Sequence, residues 1–171
     1  MKLFRNPKKT ESLLEDINYE IQNSKNESAK KRLTEVGINT VDELGRNALI
    51  WACSVENMDM ITWLVENNAN IDHQDRNGYS ALHFIALERN EKAAAYLLSK
   101  NAQTELKDCH GNTPLWAAVM NAKDDLSVVE LLLKNNANLN NVNIANRTPR
   151  EIAEKILGLE FQKLIKRLNL E

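Results

Sequence analysis

Histidines and cysteines are the first side chains to consider for chemistry, because they supply many of the bases, nucleophiles and metal ligands in proteins. His73, His83 and His110 fall in different parts of a repeated pattern, so a three-histidine zinc site is not expected. Cys53 and Cys109 form no CxxC pair, and we expect both to be free thiols in a reducing compartment. Cys109 and His110 are adjacent and could hold a stray metal ion only weakly. These residues therefore predict no metal centre.

The carboxylates and the known catalytic motifs lead to the same expectation. Asp124 and Asp125 adjoin each other, but the further oxygen ligands of a calcium loop are missing. The sequence contains no glycine-rich phosphate loop, no HExxH and no GxSxG. We therefore expect a protein that is not an enzyme and needs no cofactor. Its function must come from the elements that position its side chains.

A short turn pattern organises the chain. In residues 108–115, Gly111 suits the positive φ of a tight turn. Thr113 is placed to cap a helix, and Pro114 stands at its first position, where a missing N–H has no cost. Copies of this pattern begin 33 residues apart at Asp42, Asp75 and Asp108, and a looser copy begins at Asn143. Copies that stay in register define a repeat array.

Each repeat carries two apolar-faced segments at helical spacing, which predicts two helices after each turn. The third repeat has 35 residues because Asp124 and Asp125 extend the turn between its helices. Trp51, Trp63 and Trp116 are in phase with core positions, and we interpret them as packing residues. Asparagine stands where positive φ is expected, at Asn68, Asn101, Asn136 and Asn146. The predicted repeats are 42–74, 75–107, 108–142 and 143–171.

Both ends of such an array need a cap, because a terminal repeat has no neighbour on one side. We predict a flexible N-terminus over residues 1–9 and a helical N-terminal cap, a degenerate repeat, over residues 10–41. Residues 24–27 have the form of a capping box at the start of the second cap helix. The last repeat interleaves apolar and basic residues, which predicts a C-terminal cap within residues 143–171.

Charge and hydropathy limit the classes of partner that the chain is expected to bind. The net charge is −2, with 9 basic and 14 acidic side chains in residues 42–149. An acidic array argues against nucleic acid and suits a basic protein partner through electrostatic steering. No apolar run approaches the ~20 residues of a membrane span, and no secretion signal is recognisable. We expect a cytoplasmic protein that binds neither nucleic acid nor membrane.

The 33-residue period, the Asp-x-x-Gly-x-Thr-Pro-Leu opening and the Leu-Leu-x-x-Asn-Ala helix ends resemble the ankyrin-repeat family. The resemblance covers residues 42–155 well and 10–41 weakly. It implies an all-α repeat solenoid, each repeat having a β-hairpin turn and two antiparallel helices, with helical caps. The family's Thr-Pro-Leu-His histidine survives only as His83, where the resemblance implies a hydrogen-bonded core residue that bridges repeats.

The resemblance also implies where a partner binds, which is the concave side formed by hairpin tips and the ends of the first helices. On that side Leu44, Tyr79, Leu87, Met120 and Ile144 are predicted to be exposed apolar or aromatic residues, and Arg76 and Tyr79 are the preferred anchors. The matching positions at the tips are Glu43, Leu44, Arg46, Arg76, Asn77, Tyr79, Cys109, His110, Asn112, Ile144 and Arg147. Those at the helix ends are Val55, Leu87, Glu88, Met120 and Asn121.

The resulting hypothesis is a non-enzymatic interaction module that binds, and sequesters or inhibits, one protein partner. We expect a monomer before binding. Alternatives within the same class are a bacterial immunity protein that neutralises a cognate toxin, and a host-directed effector or scaffold adaptor. A metal-dependent regulator or enzyme is the alternative from another class, and no residue constellation supports it.

Overall fold

The computed structural model describes the backbone of residues 7–170 and the side chains of residues 13–170. These residues form helices and no strand, so the predicted all-helical repeat architecture is confirmed. The helices are α1 (Pro7–Gln22), α2 (Asn26–Val36), α3 (Ala48–Ser54), α4 (Met58–Glu66), α5 (Ala81–Glu88), α6 (Glu91–Ser99), α7 (Pro114–Asn121), α8 (Ser127–Lys134), α9 (Pro149–Ile156) and α10 (Gly158–Leu168).

The helices form two rows. In the first row α1, α3, α5, α7 and α9 pack side by side, each against the next. In the second row each of α2, α4, α6, α8 and α10 packs against the helix that precedes it in the chain. One apolar core runs between the rows, and Leu49, Ile61, Leu82, Leu97 and Leu132 are almost fully buried in it. The repeat thus extends one continuous core instead of making separate ones.

A turn precedes each of α3, α5, α7 and α9, and we call these turns the four tips. Isolated antiparallel β-bridges join Val41 to Asn47 in the first tip and Gln74 to Ser80 in the second. The next tip packs closely against the second one. A Cβ atom on Gly78, whose φ is +80°, would lie 2.8 Å from the Asp108 Cα and 2.9 Å from the Lys107 carbonyl oxygen. Glycine is therefore needed here for space as well as for its backbone conformation.

Asparagine occupies left-handed positions where the sequence predicts it. Asn68, Asn101 and Asn136 have φ of 63°, 63° and 64° at the ends of second-row helices, and Asn146 has φ of 55° in the fourth tip. No further tip packs on the fourth one within the described chain, so a side chain has room where Gly78 has none. Four left-handed residues other than glycine between paired helices were not predicted, namely Ser24, Glu56, Arg89 and Lys123.

Two details at the N-terminal end differ from the prediction. Helix α1 begins at Pro7, inside the stretch predicted as a flexible N-terminus, and residues 1–6 of that stretch lie outside the described residues. The capping box at residues 24–27 is wrong: Lys25 is the N-cap of α2 and makes no side-chain cap hydrogen bond. Ser24 has φ of 56°, and the neighbouring Ser28 hydroxyl instead donates to Glu20 at 2.7 Å. A contact between the two cap helices replaces the local cap.

Thr113 stands at the N-cap of α7 with Pro114 after it, as predicted, but its side chain makes no cap hydrogen bond. Its hydroxyl oxygen is buried without a partner among the described residues. Two other first-row helices, α3 and α9, do have side-chain caps. Asn47 accepts from the Ile50 N–H at 2.9 Å, and Thr148 exchanges hydrogen bonds with Glu151 in a capping box.

Candidate protein-binding surface

The first residue of each tip shapes the tip. The Asp42 carboxylate accepts the N–H groups of Leu44 and Arg46 through one oxygen, both at 2.9 Å. The same pair of bonds to the residues two and four positions ahead recurs at every later tip. Because the backbone donors point inward to this oxygen, the side chains of the second and third residues point away from the turn. The later acceptors are Asp75, Asp108 and Asn143.

Backbone hydrogen bonds then join the tips into one row. The N–H of Arg76 donates to the Leu44 carbonyl at 3.0 Å, and that of Cys109 donates to the Asn77 carbonyl at 2.7 Å. The N–H of Ile144 donates to the His110 carbonyl at 3.0 Å. We call the second and third residues of the four tips the tip row: Glu43, Leu44, Arg76, Asn77, Cys109, His110, Ile144 and Ala145. All eight residues are exposed.

Three of the five predicted apolar anchors are exposed. Leu44 is 51% exposed, Met120 52% and Ile144 75%, as expected. Tyr79 and Leu87 are half-buried, and Leu87 packs against the core, so their predicted exposure is wrong. The displayed apolar groups therefore lie on the tip row and near the end of α7.

Arg46, predicted to contact a partner, is used within the scaffold. Its guanidinium lies 4.8 Å from the centre of the Phe84 ring and 5.3 Å from that of Trp51. It also pairs with the buried carboxylate of Asp75 at 3.4 Å. These contacts connect the first repeat to the second, so the side chain is not free for a partner.

Tyr79 holds the matching place in the second repeat. Its ring lies 5.4 Å from His83 and 5.7 Å from Phe84, centre to centre. Burial, followed by the adjacent Asp108 carboxylate, raises the pKa of the Tyr79 hydroxyl above its ordinary value. In the third repeat the Asn112 side chain accepts from Asn143 at 2.8 Å. In these repeats the fifth tip residue thus contacts the first residue of the next tip, whereas Arg147 in the fourth tip is exposed.

His83 bridges two repeats, as the resemblance implies. Its Nδ1 accepts the Ser80 N–H at 3.1 Å, so its Nε2 carries the proton and donates to the Asn112 carbonyl at 3.2 Å. Burial lowers the pKa of His83, and the neutral ring fits both bonds. No free nitrogen remains for catalysis or for a metal.

Some of the predicted residues at the helix ends are used within the scaffold, and others are exposed. Val55 and Leu87 are half-buried against the core, and Asn121 donates from its side chain to the Ala117 carbonyl at 2.8 Å. Glu88 and Met120 remain exposed. The contacts of these helix ends therefore decide which of the predicted side chains are exposed.

Three exposed apolar residues near the tips were not predicted. Val41 is 40% exposed and Val142 46%, and each directly precedes the first residue of a tip. The repeat register could have revealed both, because the turn leaves this position outside the helices. Tyr19 on α1 is 58% exposed, and no repeat signal marks it.

The thiols and carboxylates form no reactive centre among the described residues. Cys53 is fully buried, which raises the pKa of its thiol well above the ordinary value, whereas Cys109 is exposed. Within that part of the chain, no group of three histidine, cysteine or acidic side chains could hold a metal ion. The same residues include no helix that is both long and apolar enough to cross a membrane.

Paired helices, hydrogen-bonded tips and a shared core define a helical repeat solenoid. A family model described as ankyrin repeats (3 copies) matches residues 17–108 and 57–143. The chain therefore belongs to the ankyrin-repeat family. The matched repeats are a protein–protein interaction module, a class that is generally non-enzymatic.

The curated relatives are much longer proteins. Over 111 residues the chain is 32% identical to the putative palmitoyltransferase ZDHHC13 of Danio rerio, covering 63% of this chain and 17% of that protein. It is 28% identical over 100 residues to the ankyrin repeat protein OPG189 of Variola virus, covering 57% and 17%. It is 40% identical over 80 residues to the neurogenic locus notch homolog protein 1 of Danio rerio, covering 46% and 3%. The chain spans less than a fifth of these relatives, so the likeness concerns the repeats alone.

Proposed function

We propose that the chain binds one protein partner through the tip row and sequesters it. The observation that carries this proposal is the backbone ladder of the tips, which holds exposed side chains from four repeats in one rigid row. A preformed surface loses little conformational entropy on binding, and a small array can then bind tightly. Leu44 and Ile144 would be apolar anchors, and exposed Met120 on α7 a third.

Charge supports a basic partner. Residues 42–149 carry five more acidic than basic side chains, which favours the approach of a cationic surface. Of the two anchors first preferred, Arg76 remains exposed, whereas Tyr79 is engaged with the next tip. Arg76 and Leu44 are therefore the proposed contact residues, and Tyr79 is not one of them. We further propose that the unbound chain is a monomer, which sizing chromatography coupled to light scattering measures.

The test compares capture of proteins from a lysate of the source cells by three forms of the chain. Leu44→Glu with Ile144→Glu places two charges on the tip row. Ile156→Glu with Leu159→Glu is the matched control, because these residues are 49% and 64% exposed on the C-terminal helices. All four sites are exposed, so we expect melting temperatures close to that of the wild type.

We expect a specific protein, identified by mass spectrometry, to be captured by the wild type and the control and lost by the tip variant. If every specifically captured protein were retained by the tip variant, the tip row would not be the binding surface.

A further inference from the structure

A groove lies where the first tip meets α1. Every later tip packs on a preceding tip, but the first tip faces the cap helix instead. Open space remains between the two, although the Asn18 side chain donates to Asp42 across it. The groove has two adjoining lobes of about 290 and 330 Å³, which we call together the N-terminal groove. Its apolar and aromatic walls are Leu14, Val41, Tyr19, Leu44 and Trp51.

Two exposed carboxylates flank the groove. Glu15 on α1 and Glu43 on the first tip line both lobes, and neither forms an ion pair among the described residues. Asp42 lies between them but is fully engaged: beyond the two tip N–H groups, it accepts from the Trp51 indole at 2.6 Å and from Asn18 at 3.2 Å. Asp42 therefore holds the groove together, and Glu15 with Glu43 are left to act on a ligand.

Nearby cations form no ion pair with Glu15 or Glu43 among the described residues. Arg76 lines only the smaller lobe, and the residues around the larger one include no cationic side chain. Arg46 stacks on Trp51 and pairs with Asp75 in the next tip, and Lys25 stands 5.2 Å from the centre of the Tyr19 ring. The larger lobe thus combines negative charge with apolar walls.

The groove also presents a backbone donor. In each later tip the N–H of the second residue donates to a carbonyl of the preceding tip, as Arg76 does to Leu44. Glu43 is the second residue of the first tip, and its N–H has no acceptor among the described residues. An extended peptide can supply the carbonyl that a preceding repeat would have supplied.

We propose that the N-terminal groove binds an extended segment of the protein partner that carries an arginine. This proposal rests on the binding function above and names the chemistry of its partner. A carbonyl of the segment accepts the Glu43 N–H, and the guanidinium lies between Glu15 and Glu43. Its aliphatic stem contacts Leu44 and Tyr19. Arginine fits better than lysine, because a planar guanidinium can donate to two carboxylates while it packs on an aromatic wall.

The test is a titration of the full chain, labelled with ¹⁵N, at low ionic strength. The probe is a short acetylated and amidated alanine peptide with two arginines, and the control peptide has neutral citrulline in their place. We expect chemical-shift changes at the N–H groups of Glu43 and Leu44 and at the indole of Trp51. The indoles of Trp63 and Trp116 should not respond. Shifts confined to other surfaces, or equal binding of the citrulline peptide, would overturn the proposal.

Matched variants test the two carboxylates. Glu15→Gln with Glu43→Gln should raise the dissociation constant of the arginine peptide by about fivefold to tenfold, because two partly exposed ion pairs are lost. Glu66→Gln with Asp124→Asn removes the same charge at exposed sites elsewhere and should change the dissociation constant of the arginine peptide less than twofold. Equal weakening by both double variants would mean a general charge effect and would overturn the proposal.

Binding of the captured partner to the two double variants distinguishes the groove proposal from the proposed function of the whole tip row. A partner lost by the Leu44→Glu, Ile144→Glu variant but bound unchanged by Glu15→Gln, Glu43→Gln would refute the groove and leave the tip row as the binding surface. A partner lost by both would support the groove. A partner retained by both would refute the proposed function itself.

Discussion

Replacing Gly78 by asparagine separates two reasons for a glycine in a tip. The φ of +80° is one reason, and asparagine tolerates that region better than other residues with a side chain. The closeness of the next tip is the other reason, because it leaves no space for any side chain at this position. A Cβ atom would lie 2.8 to 3.0 Å from three backbone atoms of Lys107 and Asp108, which cannot rotate away.

The expected cost follows from those contacts. Forcing the second and third tips apart is an overpacking change of about 1–3 kcal/mol. It also strains the bond from the Cys109 N–H to the Asn77 carbonyl, now 2.7 Å, which is worth about 1 kcal/mol. We therefore expect Gly78→Asn to lower the free energy of unfolding by about 2–4 kcal/mol. For a chain of this size that lowers the melting temperature by about 4–16 °C.

The matched control is Gly158→Asn. Gly158 also has a positive φ, +51°, but apart from its chain neighbours and its own helix backbone no described atom lies within 4 Å of its Cβ position. This variant should therefore lose less than about 1 kcal/mol. The assay is urea and thermal unfolding followed by far-ultraviolet circular dichroism. If the two variants were equally stable, the backbone conformation alone would explain the glycine, and the argument from close tip packing would be refuted.

Three further predictions follow from contacts between repeats. Arg46→Ala should lower the free energy of unfolding by about 1.5–3 kcal/mol, because it leaves a buried carboxylate of the next tip without its ion pair. Arg147→Ala at an exposed tip should lower it by less than about 0.5 kcal/mol, and urea unfolding compares the two variants. Burial lowers the pKa of His83 below its usual value near 6.5, so its contribution to stability is present above that pH and declines as the pH falls below it. The melting temperature of the wild type should therefore fall more steeply from about pH 7 to about pH 5 than that of His83→Gln, and parallel curves would contradict the neutral, buried ring. With a chromogenic disulfide reagent, Cys109 should react in the folded chain and Cys53 only after unfolding, and two thiols titrating at once would contradict the buried position of Cys53.

The repeat architecture could be predicted because its signals are local. A residue such as Gly111 has to adopt positive φ whatever surrounds it, and Pro114 can stand at the start of a helix but not inside one. These preferences recur at fixed spacing, so each copy supports the others. The same logic predicted the left-handed asparagines, because that backbone conformation ends a helix without help from distant residues.

The exposure of the tip side chains was predicted only in part, because exposure depends on contacts across repeats. Tyr79 and Leu44 both occupy variable tip positions, and nothing in the local pattern separates them. In the folded chain Tyr79 lies against His83 and the Asp108 carboxylate, whereas Leu44 contributes its carbonyl to the ladder and leaves its side chain exposed. Which side chain reaches the next repeat depends on the distance and angle between repeats.

The predicted capping box at Ser24 failed for a related reason. The motif is a local rule, but α1 and α2 pack face to face, and Glu20 accepts both the Ser28 hydroxyl and the Arg32 guanidinium. These contacts between helices replace the local cap, and Lys25 becomes the residue before α2.

The sequence alone therefore determined the period, the turns, the helices and the membership of a repeat family, since these follow from backbone preferences and from hydrophobic spacing within about 33 residues. Only the tertiary structure decided that Gly78 is required by the tip packed against it and that Arg46 and Tyr79 belong to the scaffold. It also decided that a groove lies beside α1, with two carboxylates that form no ion pair among the described residues. These features depend on atoms brought together from different repeats, and spacing along one chain does not specify such distances.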